Sequence, residues 1–313
     1  MRVRVAGDAF TLEGFHEIIQ LMGHFIEGRH EWMVDIRDVG AIEGYFQSHV
    51  PKMAKTYELM ARKAMVSATW SGPAAVVITR DSLSDHTHDL ARPAKVVVEN
   101  QESDRCFVVA VAHILGDRRL LDAHRMGWLE FSQGGGSGEL AKIVRAERGR
   151  FRRLFRVTFV LDSDRLTPDG ASKHEGKIAT LIKEGVPGHL LQFREAENYL
   201  PTKVLAASSG APSEKSKKLG HLKRLTPDQR AHLDVKKAFW NGKEKRFAVL
   251  PEQVDLYDSL EPKVIEGLGQ GFGEGLCALF ERLAEAGALT EADLGPEATA
   301  DLRLMLELLQ TII

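Results

Sequence analysis

The pattern of apolar and polar residues is most regular between residues 95 and 201. Four short apolar runs of strand length are separated there by segments whose apolar residues recur at helical spacing. The predicted strands cover residues 95–99, 127–131, 155–161 and 189–193. Their β-branched, nearly continuous apolar character is typical of strands buried on both faces. Because predicted strands and helices alternate, the pattern predicts a parallel sheet flanked by helices, with right-handed crossovers.

The helices between these strands carry recognisable end signals. Ser103 is placed to cap a helix that runs to about residue 115. A second helix follows a glycine-rich turn, residues 134–138, which we interpret as a tight connection that allows close backbone approach. A third helix, residues 173–184, is closed by Gly185. We therefore assign residues 93–207 to a central α/β domain.

Residues 1–92 predict a small α+β or helical domain whose role the sequence leaves open. Short strands are predicted at residues 2–6 and 31–39, helices at 12–26 and 42–65, and residues 73–79 fit either state. The stretch Asp85-His-Thr-His-Asp89 resembles a metal site, but we interpret it as a polar loop. Arg92-Pro93 marks the boundary, since a residue before proline avoids the helical region.

Residues 208–313 predict a basic linker followed by a mainly helical region. The stretch 208–224 is rich in Ser, Gly and Pro and then basic. Thr226-Pro-Asp-Gln229 is a helix start, and we predict a helix from there to about Trp240. Further helices are predicted at 262–268, 273–286 and 297–312. The last of these packs in the core or joins a second subunit, so a homodimer stays open.

Composition and charge indicate an ordinary soluble protein. The chain has 313 residues, 43% hydrophobic and 27% charged, with a net charge of −2. It is no polycation, so nucleic-acid contacts must come from local basic patches. The two cysteines, Cys106 and Cys277, are expected to be core thiols. No signal peptide and no run of about 18–20 apolar residues is present, so we expect a cytoplasmic protein without membrane contact.

Carboxylates follow three of the four predicted strands. Glu99 ends the first strand, Asp162 and Asp164 end the third, and Glu195 or Glu197 follows the fourth. Residues two apart on a strand point to the same side, which would place Asp162 beside Asp164. In open α/β sheets, ligands bind beyond the carboxyl ends of the strands. Clustered carboxylates of this kind predict a Mg²⁺ or Mn²⁺ site suited to phosphodiester chemistry.

A strand-end glutamate, a glycine turn and a strand-end Asp-x-Asp together resemble the Toprim domain of topoisomerases, primases and several nucleases. The resemblance covers about a third of the chain, from residue 95 to 203. Nucleases of the OLD (overcoming lysogenization defect) type and stand-alone Toprim effectors of antiphage systems are most similar. They share a Glu-Gly-x-Ser-Asp-type stretch, similar to residues 98–104, and a Glu-Asn-Tyr-type stretch, similar to Glu197-Asn-Tyr-Leu200.

The resemblance implies functional residues. It implies that Glu99, Asp162 and Asp164 are metal ligands. It also implies that Asp104 and Glu197 complete the coordination shell of the metal. Two departures affect this assignment. Asn100 stands where the family usually has glycine, and one extra residue precedes Ser103-Asp104. Because of the extra residue, Glu102 is an alternative to Asp104 as the ligand that follows the first strand. A lysine near the site could stabilise charge on the phosphate. We prefer Lys203 to Lys177, although each is also readable as a solvated surface lysine.

The resemblance also implies the activity: a nuclease, more readily an endonuclease than an exonuclease, acting on DNA or RNA in antiphage defence. The ATPase motif of OLD-type nucleases is absent, since residues 170–178 have one residue too many and Ile178 in place of a hydroxyl. Any ATPase would be a separate partner. Nucleic acid is expected to contact basic residues of the 208–224 segment, unless that segment is only a solvated linker; these residues are Lys215, Lys217, Lys218, Lys223 and Arg224.

Two alternatives stay open. The first is a topoisomerase- or primase-like enzyme built on the same domain, but no tyrosine has a recognisable motif, and two cysteines are too few for a primase zinc site. The second is a regulatory or scaffold subunit without catalysis. An intact set of carboxylates argues against the scaffold, because unpaired buried acids are costly without a function.

Overall fold

The structure is a computed structural model that describes residues 1–68, 75–135, 139–242 and 244–313. Part of the predicted glycine turn (136–138) and part of the ambiguous run (73–74) lie outside the described residues. The described chain is an α/β protein with two parallel sheets flanked by helices. No helix among the described residues combines the length and apolar character that crossing a bilayer requires.

A four-stranded parallel sheet forms the centre, in the order β5-β4-β6-β7. Its strands confirm the four that the apolar runs predicted, with shifts of a few residues at their ends. Two helices, rather than one, connect β4 to β5. The elements are β4 Ala94–Val98, α5 Gln101–Leu115, α6 Arg118–Arg125, β5 Leu129–Gln133, α7 Leu140–Arg148, β6 Val157–Leu161, α8 Glu175–Lys183 and β7 Gly188–Leu190.

Both faces of this sheet are covered, as parallel sheets require. Val96, Val97 and Val98 of β4 are all fully buried, and alternate side chains enter two different cores. Val97 packs with α7 and α8, whereas Val96 and Val98 pack with α5 and with helices from the end of the chain. The helices after residue 208 therefore share one hydrophobic core with the central sheet.

The cap of α5 differs from the prediction. Asn100, not Ser103, precedes the first turn, and its side-chain oxygen accepts hydrogen bonds from the backbone N–H groups of Glu102 and Ser103. Asparagine is as good a cap as serine, and it lies one residue before the helix begins. The helix therefore starts at Gln101, so only Glu99 and Asn100 connect it to the end of β4.

Residues 1–91 form a second parallel sheet, in the order β2-β1-β3, with helices between its strands. The expectation of an α+β unit is therefore wrong in its strand arrangement. A helix follows each strand, and the next strand runs parallel to the one before it. The ambiguous run becomes a strand. The elements are β1 Arg2–Val5, α1 Phe15–Ile26, β2 Glu31–Met33, α2 Val39–His49, α3 Ala54–Ala68, β3 Val76–Ile78 and α4 Leu83–Ala91.

The polar loop predicted around Asp85 and Asp89 is instead helix α4. Asp89 is fully buried, and its carboxylate accepts hydrogen bonds from the backbone N–H groups of residues 152, 153 and 154 at 2.8–2.9 Å. The side chains of Arg152 and Arg153 pair with Asp85 at the surface. Acidic side chains of this segment thus join the N-terminal sheet unit to the strand that leads to Asp162.

The last third is mainly helical, with one short hairpin. The helix predicted from Thr226 to Trp240 ends at Ala231, although its start is confirmed by the hydrogen-bonded pair of Thr226 and Gln229. The elements are α9 Thr202–Ala207, α10 Pro212–Leu222, α11 Pro227–Ala231, β8 Trp240–Asn241, β9 Arg246–Phe247, α12 Val254–Tyr257, α13 Pro262–Leu268, α14 Leu276–Glu285, α15 Glu291–Leu294 and α16 Pro296–Ile312.

Strand β7 begins with a glycine that the packing requires. Gly188 pairs with Phe159, and a Cβ atom on it would lie 2.1 Å from that fully buried ring. We expect Gly188→Ala to lower the free energy of unfolding by about 1–3 kcal/mol, measured by urea denaturation. Gly176→Ala is the control, because nothing lies within 4 Å of its added Cβ. Equal midpoints for the two variants would contradict this packing.

Candidate metal centre

An acidic pocket of about 510 Å³ opens at the carboxyl edge of the central sheet. It lies beyond β4 and β6, the neighbouring strands from which the chain continues in opposite directions along the sheet. This arrangement is the switch point at which open α/β sheets bind ligands. Eight of the residues that line the pocket are carboxylic acids and one is a lysine: Glu99, Glu102, Asp104, Asp162, Asp164, Glu195, Glu197, Glu274 and Lys236.

The segment after β4 contributes Glu99 and Asp104. Asp104 accepts a hydrogen bond from the Asn100 backbone N–H at 2.9 Å, which folds its carboxylate back toward the end of the strand. Burial, together with the charges of Glu197 and Glu99, raises the pKa of the Asp104 carboxyl to about 6. Glu102 is exposed and also lines the pocket. The structure thus places Asp104 among the other carboxylates, despite the extra residue before it.

Asp162 and Asp164 follow β6 and both line the pocket, but not for the predicted reason. The strand ends at Leu161, so strand alternation does not align them. Asp164 instead adopts a left-handed backbone conformation (φ 53°) that aspartate tolerates better than most residues. Its N–H donates to the Arg194 carbonyl, while Asp162 Oδ1 accepts from the Ala196 N–H, both at 2.9 Å. These bonds join the loop to the segment after β7.

His174 does not line the pocket itself but lies directly beside Asp164, which does. Its ring is 2% exposed, and Nε2 donates to Asp164 Oδ2 at 3.1 Å. Glu99, Asp164 and His174 each offer a ligand atom, and these atoms lie within 4.8 Å of one another. Lys173, which is more than half exposed, reaches the same Asp164 oxygen at 2.6 Å. Two carboxylates and an imidazole therefore lie close together, and the ammonium group of Lys173 is stabilised beside one of the carboxylates.

Glu195 and Glu197 lie at the other end, on the short 3₁₀ turn Ala196–Tyr199 and the residue before it. Both are buried, and Lys236 Nζ lies 3.1 Å from a carboxylate oxygen of each. Burial alone would lower the pKa of the Lys236 ammonium, but Glu197 and Glu195 outweigh it and raise that pKa above its usual value. Lys236 therefore stays charged in the pocket.

The turn itself is anchored by the last helix. Asp301 of α16 is buried and accepts hydrogen bonds from the Tyr199 hydroxyl and from the Gln192 backbone N–H. His189 Nε2 lies 3.0 Å from the other Asp301 oxygen. These contacts bring a residue from the end of the sequence to the segment that carries Glu195 and Glu197.

Burial changes the acidity of two carboxyl groups in the pocket, Asp162 and Glu195. Burial, reinforced by the neighbouring carboxylates Asp104, Glu197 and Glu195, raises the pKa of Asp162 well above its usual value. Burial likewise raises the pKa of Glu195, although Lys236 opposes that change. Each shift means that removing the proton costs more here than in water, unless a cation compensates. Perturbed carboxylates in a concave site are typical of functional centres.

The two lysines considered for the site do not line the pocket. Lys203 is exposed and pairs with Asp293 at 2.9 Å, so the structure does not bring it to the acidic pocket. It lies in α9, a short helix that follows the turn with Glu197 and that the sequence analysis does not predict. Lys173 contacts Asp164, and Lys236 contacts Glu195.

The basic segment is an ordered helix rather than a flexible linker. Most of it forms α10, whose Lys215 and Lys218 donate to the backbone carbonyls of Ser208 and Gly271. Arg224 pairs with Glu261. Lys217 and Lys223 are exposed. None of the five basic residues is among those that line the pocket.

Sequence reasoning missed His174 and Lys236. His174 lies ten residues after Asp164, at the start of the helix predicted over residues 173–184. Lys236 lies within residues 226–240, which were predicted as one continuous helix. The signal available for His174 was its place just after an Asp-x-Asp loop. No local pattern marks Lys236, because its partners are about 40 residues away in sequence.

We compared the chain with models of known protein families, with curated proteins and with solved structures, and none of these matches it. The fold and the pocket define an α/β protein with an acidic centre at the switch point of its sheet. Its function is therefore argued from the geometry of that centre.

Proposed function

We propose that this protein is a metal-dependent nuclease with a Toprim-like central domain. The observation that supports it most is the convergence of Glu99, Asp164 and His174, of which the two carboxylates line the acidic pocket. Glu99 and Asp164 follow adjacent parallel strands, as the resemblance to Toprim domains implies. Asp162 and Asp104 line the same pocket and complete the set of candidate ligands, while Glu197, which also lines it, is paired with Lys236.

The donor set fits Mg²⁺ or Mn²⁺. Carboxylate oxygens dominate the set, and oxygen ligands suit both ions. Eight carboxylic acids against one lysine leave the pocket short of positive charge. The ammonium groups of Lys173 and Lys236, each within 3.1 Å of carboxylate oxygens, mark places where a cation is stabilised. A bound divalent ion would restore the balance at the end that carries Glu99.

Hydrolysis of a phosphodiester joins the oxygen of water to phosphorus, breaks the ester P–O bond and leaves a protonated alcohol. A bound Mg²⁺ or Mn²⁺ supplies an acidified water and neutralises charge on the phosphate. Glu99 and Asp164 hold the ion, and His174 fixes the Asp164 carboxylate through its hydrogen bond. Without an ion, the acidic lining would repel a phosphate, so activity is expected to require the metal.

The proposed substrate is DNA or RNA, cleaved internally. The exposed lysines of α10 and the loop after it, Lys217 and Lys223, are proposed to contact the phosphate backbone outside the pocket. A place in antiphage defence, and a separate ATPase partner, rest on the resemblance to OLD-type nucleases and stand-alone Toprim effectors alone.

A cleavage assay tests the proposal. Purified protein is incubated with plasmid DNA, single-stranded DNA or tRNA in Mg²⁺, in Mn²⁺ and in EDTA, beside the Glu99→Ala variant. We expect metal-dependent cleavage of at least one substrate, loss of that cleavage in EDTA and its loss in the variant. Plasmid nicking would establish internal cleavage. Cleavage that survives Glu99→Ala, or that needs no metal, would refute the proposed centre.

A further inference from the structure

The acidic pocket has two ends, and a lysine side chain pairs with carboxylates at each. The two lysines differ in how far they are exposed to solvent. At the first end, Glu99, Asp164 and His174 meet, and Lys173 approaches from outside with its side chain 56% exposed. At the second end, Lys236 is 24% exposed and lies between the buried carboxylates of Glu195 and Glu197. Asp104 interacts electrostatically with Glu99 of the first end and with Glu197 of the second.

Lys236 is held in place by its backbone as well as by its charge. The Gly273 N–H donates to the Lys236 carbonyl at 3.1 Å, and the Phe272 N–H donates to the Val235 carbonyl at 3.0 Å. Gly271 has a left-handed backbone, and a Cβ atom there would lie 2.5 Å from the Lys236 carbonyl oxygen. The segment that carries Lys236 is therefore packed closely against residues 271–273.

The lysine segment is also tied to the turn that carries its partners. The Asn198 side-chain amide donates to the carbonyls of Arg230 and Leu233 at 2.8 and 2.9 Å. The Arg194 N–H donates to the Ala231 carbonyl at 3.0 Å. Neither segment can move without breaking these bonds. The backbone that carries Lys236 is thus fixed and its ammonium is held by two buried carboxylates, whereas the exposed Lys173 can leave Asp164 at little cost.

We propose that the Lys236 ammonium takes the place of a second metal ion, so that the centre binds one divalent cation rather than two. The inference rests on the proposed function for the presence of that one ion at the Glu99 end. Two-metal nucleases use a pair of ions to balance charge on both sides of the phosphate. Here the second positive charge is supplied by the chain itself.

This arrangement follows from the charge and burial of the second end. Two buried carboxylates repel each other unless a cation lies between them. Lys236 lies within 3.1 Å of both and has most of its side chain removed from water. A divalent ion could enter only by displacing a lysine whose backbone stays fixed. Removing the ammonium should therefore create a second metal site from carboxylates that are already in position.

The test counts metal ions on the full chain. Mn²⁺ is titrated into the wild type, Lys236→Met and Lys203→Met at pH 8, and free Mn²⁺ is measured by electron paramagnetic resonance. We expect one bound ion for the wild type, two for Lys236→Met and one for Lys203→Met. Lys203 is the matched control, because it is also paired with a carboxylate but lies outside the pocket. Circular dichroism establishes that each variant is folded, and Lys236→Gln serves if Lys236→Met is not.

The possible outcomes are distinguishable. Two ions on the folded wild type would overturn the inference whatever the variants do, and metal-dependent cleavage by that protein would leave the proposed function intact. One ion on folded Lys236→Met would also overturn it, because protons would then balance the freed carboxylates. No bound ion and no cleavage in the wild type would refute both proposals.

Discussion

Asp164→Asn is expected to lower the rate of metal-dependent cleavage at least about a thousand-fold, which corresponds to about 4 kcal/mol of transition-state stabilisation. The Asp164 carboxylate is the shared contact of His174 and Lys173, and it belongs to the candidate donor set with Glu99. An amide offers a weaker, neutral oxygen, so we also expect Mn²⁺ to bind more weakly. Single-turnover cleavage and Mn²⁺ titration measure the two effects.

Asparagine is the appropriate replacement because it isolates the charge. Asp164 has a φ of 53°, and asparagine is among the few residues that adopt this left-handed conformation readily. The Asp164 N–H can therefore still donate to the Arg194 carbonyl. Alanine at this position would add backbone strain and confuse a loss of ligation with a loss of loop structure.

Asp169→Asn is the matched control. Asp169 lies on the same loop as Asp164, is exposed and is not among the residues that line the pocket. The change removes the same charge from the same part of the chain, so cleavage and Mn²⁺ binding should stay at the wild-type level. A comparable loss of activity in both variants would show that net charge of the loop, rather than ligation by Asp164, controls the reaction.

Asp89→Ala is expected to lower the free energy of unfolding by about 3–5 kcal/mol, because it leaves buried backbone donors without a partner. The carboxylate accepts three N–H groups from residues 152–154 and is fully buried. Urea denaturation followed by circular dichroism measures the loss. Limited proteolysis near residues 150–155 should also become faster, since that stretch loses its main attachment.

Asp85→Ala supplies the comparison within the same helix. Asp85 pairs with the side chains of Arg152 and Arg153, but all three groups are solvent-accessible. Exposed ion pairs contribute little to stability, so this variant should unfold close to the wild-type midpoint. If the two aspartate variants are equally destabilised, surface charge rather than the buried carboxylate holds the two sheet units together.

The central sheet was predictable because its signals are local. The valines of β4 and the apolar run of β6 identify strands buried on both faces, and glycines and caps mark the helix ends. The N-terminal strands were harder to predict, because they have only three or four residues each. Strand direction there depends on pairing across the chain, which no local pattern records.

The residues of the candidate site also fall into two groups, those that local sequence patterns predict and those that depend on distant packing. Glu99, Asp162 and Asp164 follow strands that the pattern identified, so their meeting at one edge of the sheet could be expected. Lys236 could not, because an ion pair with Glu195 and Glu197 depends on how a distant segment packs. Lys203 is close to Glu197 in sequence, but it pairs with Asp293 and does not line the pocket.

The anchoring of the Ala196–Tyr199 turn by Asp301 has a consequence for biosynthesis. Glu99 is translated roughly 200 residues before Asp301, which at ~5–20 residues per second amounts to roughly 10–40 seconds. During that interval, the growing polypeptide carries its early acidic residues but lacks the contacts that fix Glu195 and Glu197. A nascent chain on the ribosome, surrounded by RNA, is therefore expected to remain inert until α16 has emerged and docked.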